Sequence, residues 1–259
     1  MERTKIEWCD STWNPVTGCY NDCEYCYARK IANRYKGFDG MVDNPAIKTV
    51  ILTSPLHITA KTGEVRKAPY PYGFKPTMHC YRINDPETKG FGKNIFVCSM
   101  ADLFGDWIPD EWILRVFQSC LNAPNHRYLF LTKNPERYDK LKEKGLLPND
   151  PIFWYGSTVT TQANTVFDSE EHQTFVSIEP LLEPLDSFYA SCLVNSHVDW
   201  VIFGAETGNR KDKVVPERNW FESSVAVLRD NGVAVMMKDS LQTIWGEPLI
   251  TEFPWEVKA

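Results

Sequence analysis

Short apolar runs alternate with segments of helical periodicity from residue 94 onward. The apolar runs predict β-strands, because strands that are covered on both faces of a sheet are almost continuously hydrophobic. The segments between them predict helices, some of which begin at a proline or with acidic residues in the first turn. The predicted strands are 95–98, 128–131, 152–156, 174–178, 200–203 and 233–237, and the predicted helices are 109–121, 135–144, 162–170, 184–194 and 216–230.

This alternation indicates a parallel sheet in an α/β fold. Five to seven strand and helix units predict an open partial (β/α) barrel of about six parallel strands, in a single domain of residues 1–259. In barrels of this kind the active site lies at the carboxyl ends of the strands. Polar residues follow the predicted strands at that end, namely Ser99, Asp102, Thr132, Lys133, Ser157, Thr158, Thr160, Glu179, Glu206, Thr207, Lys238 and Asp239.

Any one of these residues is equally compatible with a helix cap or a solvated turn. Six such groups in phase favour a shared site. The regular pattern is absent between residues 38 and 93, where Pro, Gly, Lys and Tyr are frequent and the stretch 69–76 is the densest. A segment of this length in a compact domain predicts an insertion or lid. Before it, residues 6–17 predict a weak first strand and residues 27–35 a helix that ends at Gly37.

Composition and charge exclude several classes of protein. The chain has 259 residues, of which 43% are hydrophobic and 24% are charged, so it can form a core and is not expected to be disordered. A formal net charge of −6 excludes a protein that coats nucleic acid with its whole surface, although a local basic groove remains compatible. Neither a signal peptide nor a membrane-spanning run is present, so we expect a cytoplasmic protein without membrane contact.

Three of the eight cysteines lie close together in the sequence. Cys19, Cys23 and Cys26 have the spacing C-x3-C-x2-C, and Tyr25 directly precedes the last. Neighbouring thiolates bind soft metal centres, and a [4Fe–4S] cluster with three protein ligands leaves one iron open to another molecule. The alternatives are a zinc site with Cys9 or a distant histidine as fourth ligand, and a redox pair of Cys23 and Cys26. Two further cysteines, Cys98 and Cys120, fall in apolar patterns and are predicted to be buried thiols.

The motif of Cys19, Cys23, Tyr25 and Cys26 resembles the signature of the radical S-adenosylmethionine (SAM) superfamily. The resemblance implies that the cysteines hold three irons of a [4Fe–4S] cluster and that the amino and carboxylate groups of SAM bind the fourth. It also implies an external electron donor, similar to flavodoxin or ferredoxin, and cleavage of SAM to a 5′-deoxyadenosyl radical. Residues 12–19 and 27–29 more narrowly resemble a phage-associated three-cysteine-motif family.

The same resemblance implies residues that contact SAM. The turn after the strand 95–98 lies where superfamily members bind the methionine amino group, although the glycine-rich form that is usual there is absent from this chain. After the strand 200–203, Glu206 comes one residue earlier than the corresponding glutamate of the superfamily. Gly204 is therefore the better candidate for contact with adenine. The implied contacts are Ser99 and Asp102 for the amino group, Ser157, Thr158 and Glu179 for ribose, and Gly204 and Tyr25 for adenine.

Basic residues stand near aromatic residues in the insertion, an arrangement that suits phosphate contacts and base stacking. Ordinary solvated lysines beside a proline-rich loop fit the same pattern. Together with the phage association, the arrangement predicts action on a nucleic-acid base or nucleotide, such as isomerisation of a modified thymidine in phage DNA. The alternatives are a radical SAM enzyme acting on a small metabolite or peptide, and a zinc-stabilised nucleic-acid-binding module without catalysis. The residues concerned are Arg66, Lys67, Lys75, Tyr70, Tyr72 and Phe74.

Overall fold

The computed structural model describes residues 2–37, 46–59, 62–88, 90 and 92–257. Helices and strands alternate in the carboxyl-terminal half, as the hydrophobic pattern predicts. The strands are β1 (Glu2–Arg3), β2 (Ser11–Trp13), β3 (Val16–Thr17), β4 (Val50–Leu52), β5 (His57–Thr59), β6 (Val65–Lys67), β7 (Thr77–His79), β8 (Asn94–Val97), β9 (Arg127–Thr132), β10 (Phe153–Val159), β11 (Gln173–Ile178), β12 (Trp200–Phe203) and β13 (Ala234–Met237). The α-helices are α1 (Tyr27–Arg34), α2 (Asp110–Leu121), α3 (Glu136–Glu143), α4 (Ser187–Asn195), α5 (Glu222–Asp230), α6 (Gln242–Trp245) and α7 (Pro254–Val257).

The main sheet has the strand order β1-β2-β8-β9-β10-β11-β12-β13. Seven of its strands are parallel, and only β1 is antiparallel to its neighbour. This sheet confirms the predicted α/β class with parallel strands and is compatible with an open partial barrel. The chain divides into two compact units, residues 1–128 and residues 129–259, and the single predicted domain stays a prediction.

In the second unit, one face of the sheet packs against helices. Side chains of β11, β12 and β13 form a hydrophobic cluster with residues of α4 and α5, for example Val201 with Leu193 and Leu228. Because successive side chains of a strand point to opposite faces, the residues between those of the cluster share the other face, here called the inner face. The inner face of these three strands and the residues that follow them carries Phe175, Ser177, Glu179, Trp200, Ile202, Gly204, Met236 and Lys238.

The inner face is aromatic towards the amino ends of the strands. The rings of Trp154 and Trp200 contact the ring of Trp255, with centroid distances of 5.5 and 5.3 Å. Phe253 adds a contact to Trp200 at 5.6 Å. The charged residues of the inner face therefore lie at the carboxyl ends of the strands, where the sequence predicts the functional site.

The segment 38–93 contains regular structure. Residues 38–45, 60–61, 89 and 91 of it lie outside the described residues. In the remainder, β7 pairs with β4 and with β3, and β5 pairs with β6. His79 in β7 is hydrogen-bonded to Thr17 at 2.9 Å and to Tyr81 at 3.0 Å, and its burial lowers its pKa to about 3. The insertion is therefore tied to the strand that precedes the cysteine loop.

The structure confirms most predicted elements, but it adds the short strands β4 to β7 inside the insertion and corrects one predicted helix. Residues 162–170, which were predicted to form a polar helix, form turns and irregular backbone instead. The reason is that Asn164 accepts hydrogen bonds from the backbone N–H groups of Thr160 and Thr161, which favours a turn over a helix. Cys98 and Cys120 are buried, as predicted. In the described part of the chain, no helix has the length and apolar character needed to cross a membrane.

Candidate functional site

The cysteine loop begins at a glycine that the backbone requires. Gly18 has a φ of +91°, and a Cβ atom added there would lie 2.4 Å from the carbonyl carbon and oxygen of Lys75. Its N–H donates to the carbonyl of Met100 at 2.8 Å, and the N–H of Cys19 donates to the carbonyl of Phe74 at 3.1 Å. Two segments distant in sequence therefore hold the start of the loop.

The turn after β8 contacts the cysteine loop through side chains. Asp102 is buried, and its carboxylate accepts a hydrogen bond from the side chain of Asn21 at 2.8 Å. The hydroxyl of Tyr27 donates to the carbonyl of Ser99 at 2.9 Å, and the Ser99 hydroxyl donates to Asn14 at 3.2 Å. The structure thus brings Ser99 and Asp102, two predicted SAM contacts, to the loop that carries the cysteines. Their contact with SAM stays a prediction.

The three cysteines are half-buried and free of disulfide bonds. The sulfur of Cys26 accepts the N–H of Arg29 at 3.3 Å and so caps α1, while the sulfur of Cys19 accepts the N–H of Asn21 at 3.4 Å. Burial raises the pKa of Cys19 to about 12, and the nearby Asp102, Cys23 and Cys26 act in the same direction.

These thiols do not form a preassembled metal site. Within residues 2–37, 46–59, 62–88, 90 and 92–257, no three His, Cys, Asp or Glu side chains are arranged so that they could hold a metal ion. The donor chemistry nevertheless fits an iron–sulfur cluster, because three thiols on one loop are the ligands that such clusters use.

In the second unit, Glu179, Gly204 and Lys238 are neighbours at the carboxyl ends of three parallel strands. The register pairs Ile178 with Phe203 and Phe203 with Met237, so the next residues of the three strands lie side by side. The ammonium of Lys238 forms an ion pair with the carboxylate of Glu179. The structure therefore brings together two predicted SAM contacts and Lys238, one of the polar residues that follow the predicted strands.

Ser157 and Thr158 lie on opposite faces of β10. Thr158 pairs with Ser177 and shares the inner face, whereas Ser157 pairs with Val176 of the helix-facing cluster. The hydroxyl of Ser157 accepts the N–H of Phe167 at 2.9 Å. Because successive side chains of a strand point to opposite faces, the sequence alone could have shown that these two neighbours do not share a face.

The loop after β12 is anchored by a buried carboxylate. Glu206 accepts two hydrogen bonds from the guanidinium of Arg210, at 2.7 and 2.8 Å. These bonds lower the pKa of Glu206 below its ordinary value, so the residue is a carboxylate at neutral pH. Lys211 and Lys213, in the same loop, are exposed.

The basic and aromatic residues of the insertion differ in burial. Arg66 and Lys67 of β6 are exposed, Tyr70 and Phe74 are half-buried, and Tyr72 and Lys75 are buried. Tyr72 and Lys75 are therefore the least accessible of the six to a ligand at the surface. Tyr25, the predicted adenine contact, lies half-buried in a turn of the cysteine loop.

Some residues that shape these sites were not predicted. Asn14 accepts hydrogen bonds from Ser99 and from the N–H of Met100, and Asn21 binds Asp102. For Asn14 the sequence offers a signal, because Asn14-Pro15 interrupts the pattern shortly before the cysteine motif. Ser177 was also missed, since a serine inside an apolar run has no distinct sequence signal.

Comparison with known proteins bears on the family. No curated protein and no solved structure matches the chain significantly. A family model described as "Protein of unknown function (DUF5131)" matches residues 3–248, which include the cysteine loop and all seven parallel strands. The chain therefore belongs to the DUF5131 family.

Proposed function

We propose that this chain is a radical SAM enzyme that binds one [4Fe–4S] cluster through Cys19, Cys23 and Cys26. The observation that carries the proposal is the C-x3-C-x2-C loop itself, with three free, half-buried thiols in front of a helix. When bound and reduced, such a cluster supplies the electron that breaks the sulfonium bond of SAM, which yields methionine and a 5′-deoxyadenosyl radical. An external carrier similar to flavodoxin or ferredoxin would supply that electron.

The residues around the loop support this role by holding its start. Gly18 and Cys19 are held by backbone bonds to Met100 and Phe74, and Asn21 is held by Asp102. Backbone N–H groups that donate to the sulfurs of Cys19 and Cys26 stabilise the negative charge that these sulfurs carry as cluster ligands. The first residues of the loop, from Gly18 to Asn21, are therefore held by contacts with segments that lie far away in the sequence.

For the substrate we propose a nucleic-acid base or nucleotide, such as a modified thymidine in phage DNA that is isomerised. Support comes from the resemblance to a phage-associated family and from exposed cations at two places, Arg66 and Lys67 in the insertion and Lys211 and Lys213 after β12. Such cations are suited to contacts with phosphate groups.

The test is formation of 5′-deoxyadenosine from SAM by anaerobically prepared and chemically reduced protein. We expect activity in the wild type, and a loss of at least about 100-fold in Cys23→Ala, because a missing ligand removes the cluster. Cys9→Ala is the matched control, since Cys9 is also a half-buried thiol of the first unit. Retained cleavage in Cys23→Ala would contradict the proposal, and loss of bound metal in Cys9→Ala would favour a zinc site in which Cys9 is the fourth ligand.

A further inference from the structure

A stretch of positive charge follows the cysteine loop in a chain that is acidic overall. The formal net charge of the chain is −6, yet residues 25–38 include no acidic residue. The same residues include four cations, namely Arg29, Lys30, Arg34 and Lys36. A local concentration of positive charge on an acidic protein is suited to a partner of negative charge.

The two sides of α1 differ in burial. Ala28 and Ala32 are buried and belong to a small hydrophobic cluster of the first unit. Tyr27, Lys30 and Arg34 are exposed. Their spacing of three and four residues places them on one side of the helix, away from the two alanines. These three residues are here called the basic face of α1.

The charge at the start of α1 does not stabilise the helix. A helix carries partial positive charge at its N-terminus, so acidic residues are favourable in the first turn and cations are unfavourable there. The first turn of α1 has no acidic residue and contains Arg29 and Lys30. Arg29 forms an ion pair with Asp22, whereas Lys30 has no ion pair within the part of the chain that the structure describes. The charge of Lys30 therefore opposes the helix, which indicates a role outside folding.

The basic face begins beside a cysteine of the proposed cluster. Cys26 is the N-cap of α1, and its sulfur accepts the N–H of Arg29 at 3.3 Å. The hydroxyl of Tyr27 donates to the carbonyl of Ser99 at 2.9 Å, which holds this exposed ring next to the cysteine loop. A protein that binds the basic face therefore lies close to the cluster site. Electron transfer between two proteins requires such proximity.

Two exposed aromatic rings accompany the cations. The side chain of Tyr27 is 51% exposed, and that of Tyr35, directly after α1, is 46% exposed. Tyrosine and arginine are enriched at protein interfaces. Complexes for electron transfer are typically small and weak, and charge complementarity mainly increases their rate of association. A surface centred on a helix of eight residues suits an interface of this kind.

We propose that the basic face of α1, with Tyr35 at its end, is the docking surface for an acidic protein that carries single electrons. The inference rests on the proposed function, because the electron is delivered to the cluster on Cys19, Cys23 and Cys26. One electron passes from the reduced carrier to the oxidised cluster, so the carrier is oxidised, the cluster is reduced and no bond is broken. The cations of the face bind the acidic surface of the carrier.

The first test is binding of oxidised flavodoxin, an acidic one-electron carrier, to the full chain without a cluster, followed by fluorescence anisotropy. Reversing one charge in Lys30→Glu should weaken binding about fivefold at low salt, and adding Arg34→Gln should weaken it about tenfold or more. The differences should shrink at high salt, because exposed charges are then screened. An acidic residue in the first turn favours the helix, so Lys30→Glu should not lower the melting temperature.

Lys140→Glu is the matched control, since Lys140 is also an exposed lysine of an α-helix, in the second unit. It should change the binding of flavodoxin by less than about twofold. Equal binding by wild type and Lys30→Glu overturns the inference, as does an equal loss in Lys140→Glu or a wild type that does not bind flavodoxin at low salt. If Lys30→Glu weakens binding of single-stranded DNA but not of flavodoxin, the face contacts nucleic acid and the inference is overturned.

The second test uses the reconstituted protein in a stopped-flow experiment. Reduction of the cluster by reduced flavodoxin should be slower in Lys30→Glu by about fivefold, whereas reduction by dithionite should change by less than about twofold. Equal rates with flavodoxin in wild type and variant overturn the docking surface and leave the cluster in place. A chain that binds no iron and sulfide contradicts the proposed function, and delivery of electrons through the basic face is overturned with it.

Discussion

His197 lies between two carboxylates at the end of the second unit opposite to the candidate site. Its Nδ1 is 2.8 Å from Asp168 and its Nε2 is 3.2 Å from Glu170, at the edge of a cavity of about 430 Å³. The hydrogen bond to Asp168 is the main cause that raises the pKa of His197 above its ordinary 6.5. The imidazole is therefore more readily protonated in the folded chain than in the unfolded chain.

The sign of the resulting pH dependence follows from linkage. A raised pKa in the folded state stabilises the protein below the unfolded pKa, and this contribution is lost as the pH rises through the folded pKa. We expect the melting temperature of the wild type to exceed that of His197→Asn at about pH 5.5, and the difference to vanish at about pH 8.5. Asparagine is the suitable replacement because His197 has a φ of +54°, which asparagine tolerates. Equal differences at both pH values would contradict this account.

Single residues of the site were predicted more reliably than their partners. Glu179 and Gly204 follow from the apolar runs that precede them, because the end of a buried strand is visible as the first polar residue or glycine. The ion pair of Glu179 with Lys238 was not predictable, since it depends on the register between strands that lie far apart in sequence. The cysteine spacing carries chemistry by itself, whereas the bonds that hold the loop come from Asn14 and Asp102 at long range.

Among the elements, the cysteine loop depends on the close approach of Gly18 to Lys75. We expect Gly18→Ala to lower the free energy of unfolding by about 3 kcal/mol, because it adds steric overlap to the strain of a positive φ. Gly63→Ala is the matched control, with a φ of +82° and no atom within 4 Å of the added Cβ. It should cost only about 1 kcal/mol.

Chemical denaturation of both variants measures this difference. Similar losses of stability in the two variants would show that Lys75 moves aside at no cost, and that the loop is not fixed at Gly18. Circular dichroism before denaturation confirms that each variant starts from the folded state.

Whole elements were predictable where one physical requirement dominated. The strands 128–131 and 200–203 are apolar throughout because both faces are buried, and the structure extends or matches them as β9 and β12. The prediction of a helix at residues 162–170 was wrong. That stretch has few apolar residues to bury, and the side chain of Asn164 accepts hydrogen bonds from the backbone instead. The short strands β4 and β7 were missed because three residues are too few to show a period, and Met78 of β7 pairs with Val16 across a long separation.

At the scale of the whole molecule, the net charge of −6 limits how nucleic acid can bind. Contact with phosphate groups must be local, so we expect weak binding to duplex DNA that carries a modified thymidine, with a shallow dependence on salt. Replacing Lys211 and Lys213 together by alanine should reduce the slope of log association constant against log salt by up to about two, because each phosphate contact contributes about 0.9.

Fluorescence anisotropy over a range of salt concentrations measures that slope. Lys140→Ala with Lys144→Ala is a control that removes the same charge from α3 and the residue after it. An unchanged slope in the Lys211 and Lys213 variant, or no binding at low salt in the wild type, would contradict a DNA substrate held by this loop.

The central claim is that Cys19, Cys23 and Cys26 hold an iron–sulfur cluster. The most direct measurement is the absorption spectrum of anaerobically reconstituted protein before and after dithionite, together with iron and sulfide analysis. The account predicts broad absorbance at about 400 nm that bleaches on reduction, with about four irons and about four sulfides per chain. A colourless protein that holds one zinc ion and no sulfide after reconstitution would contradict it.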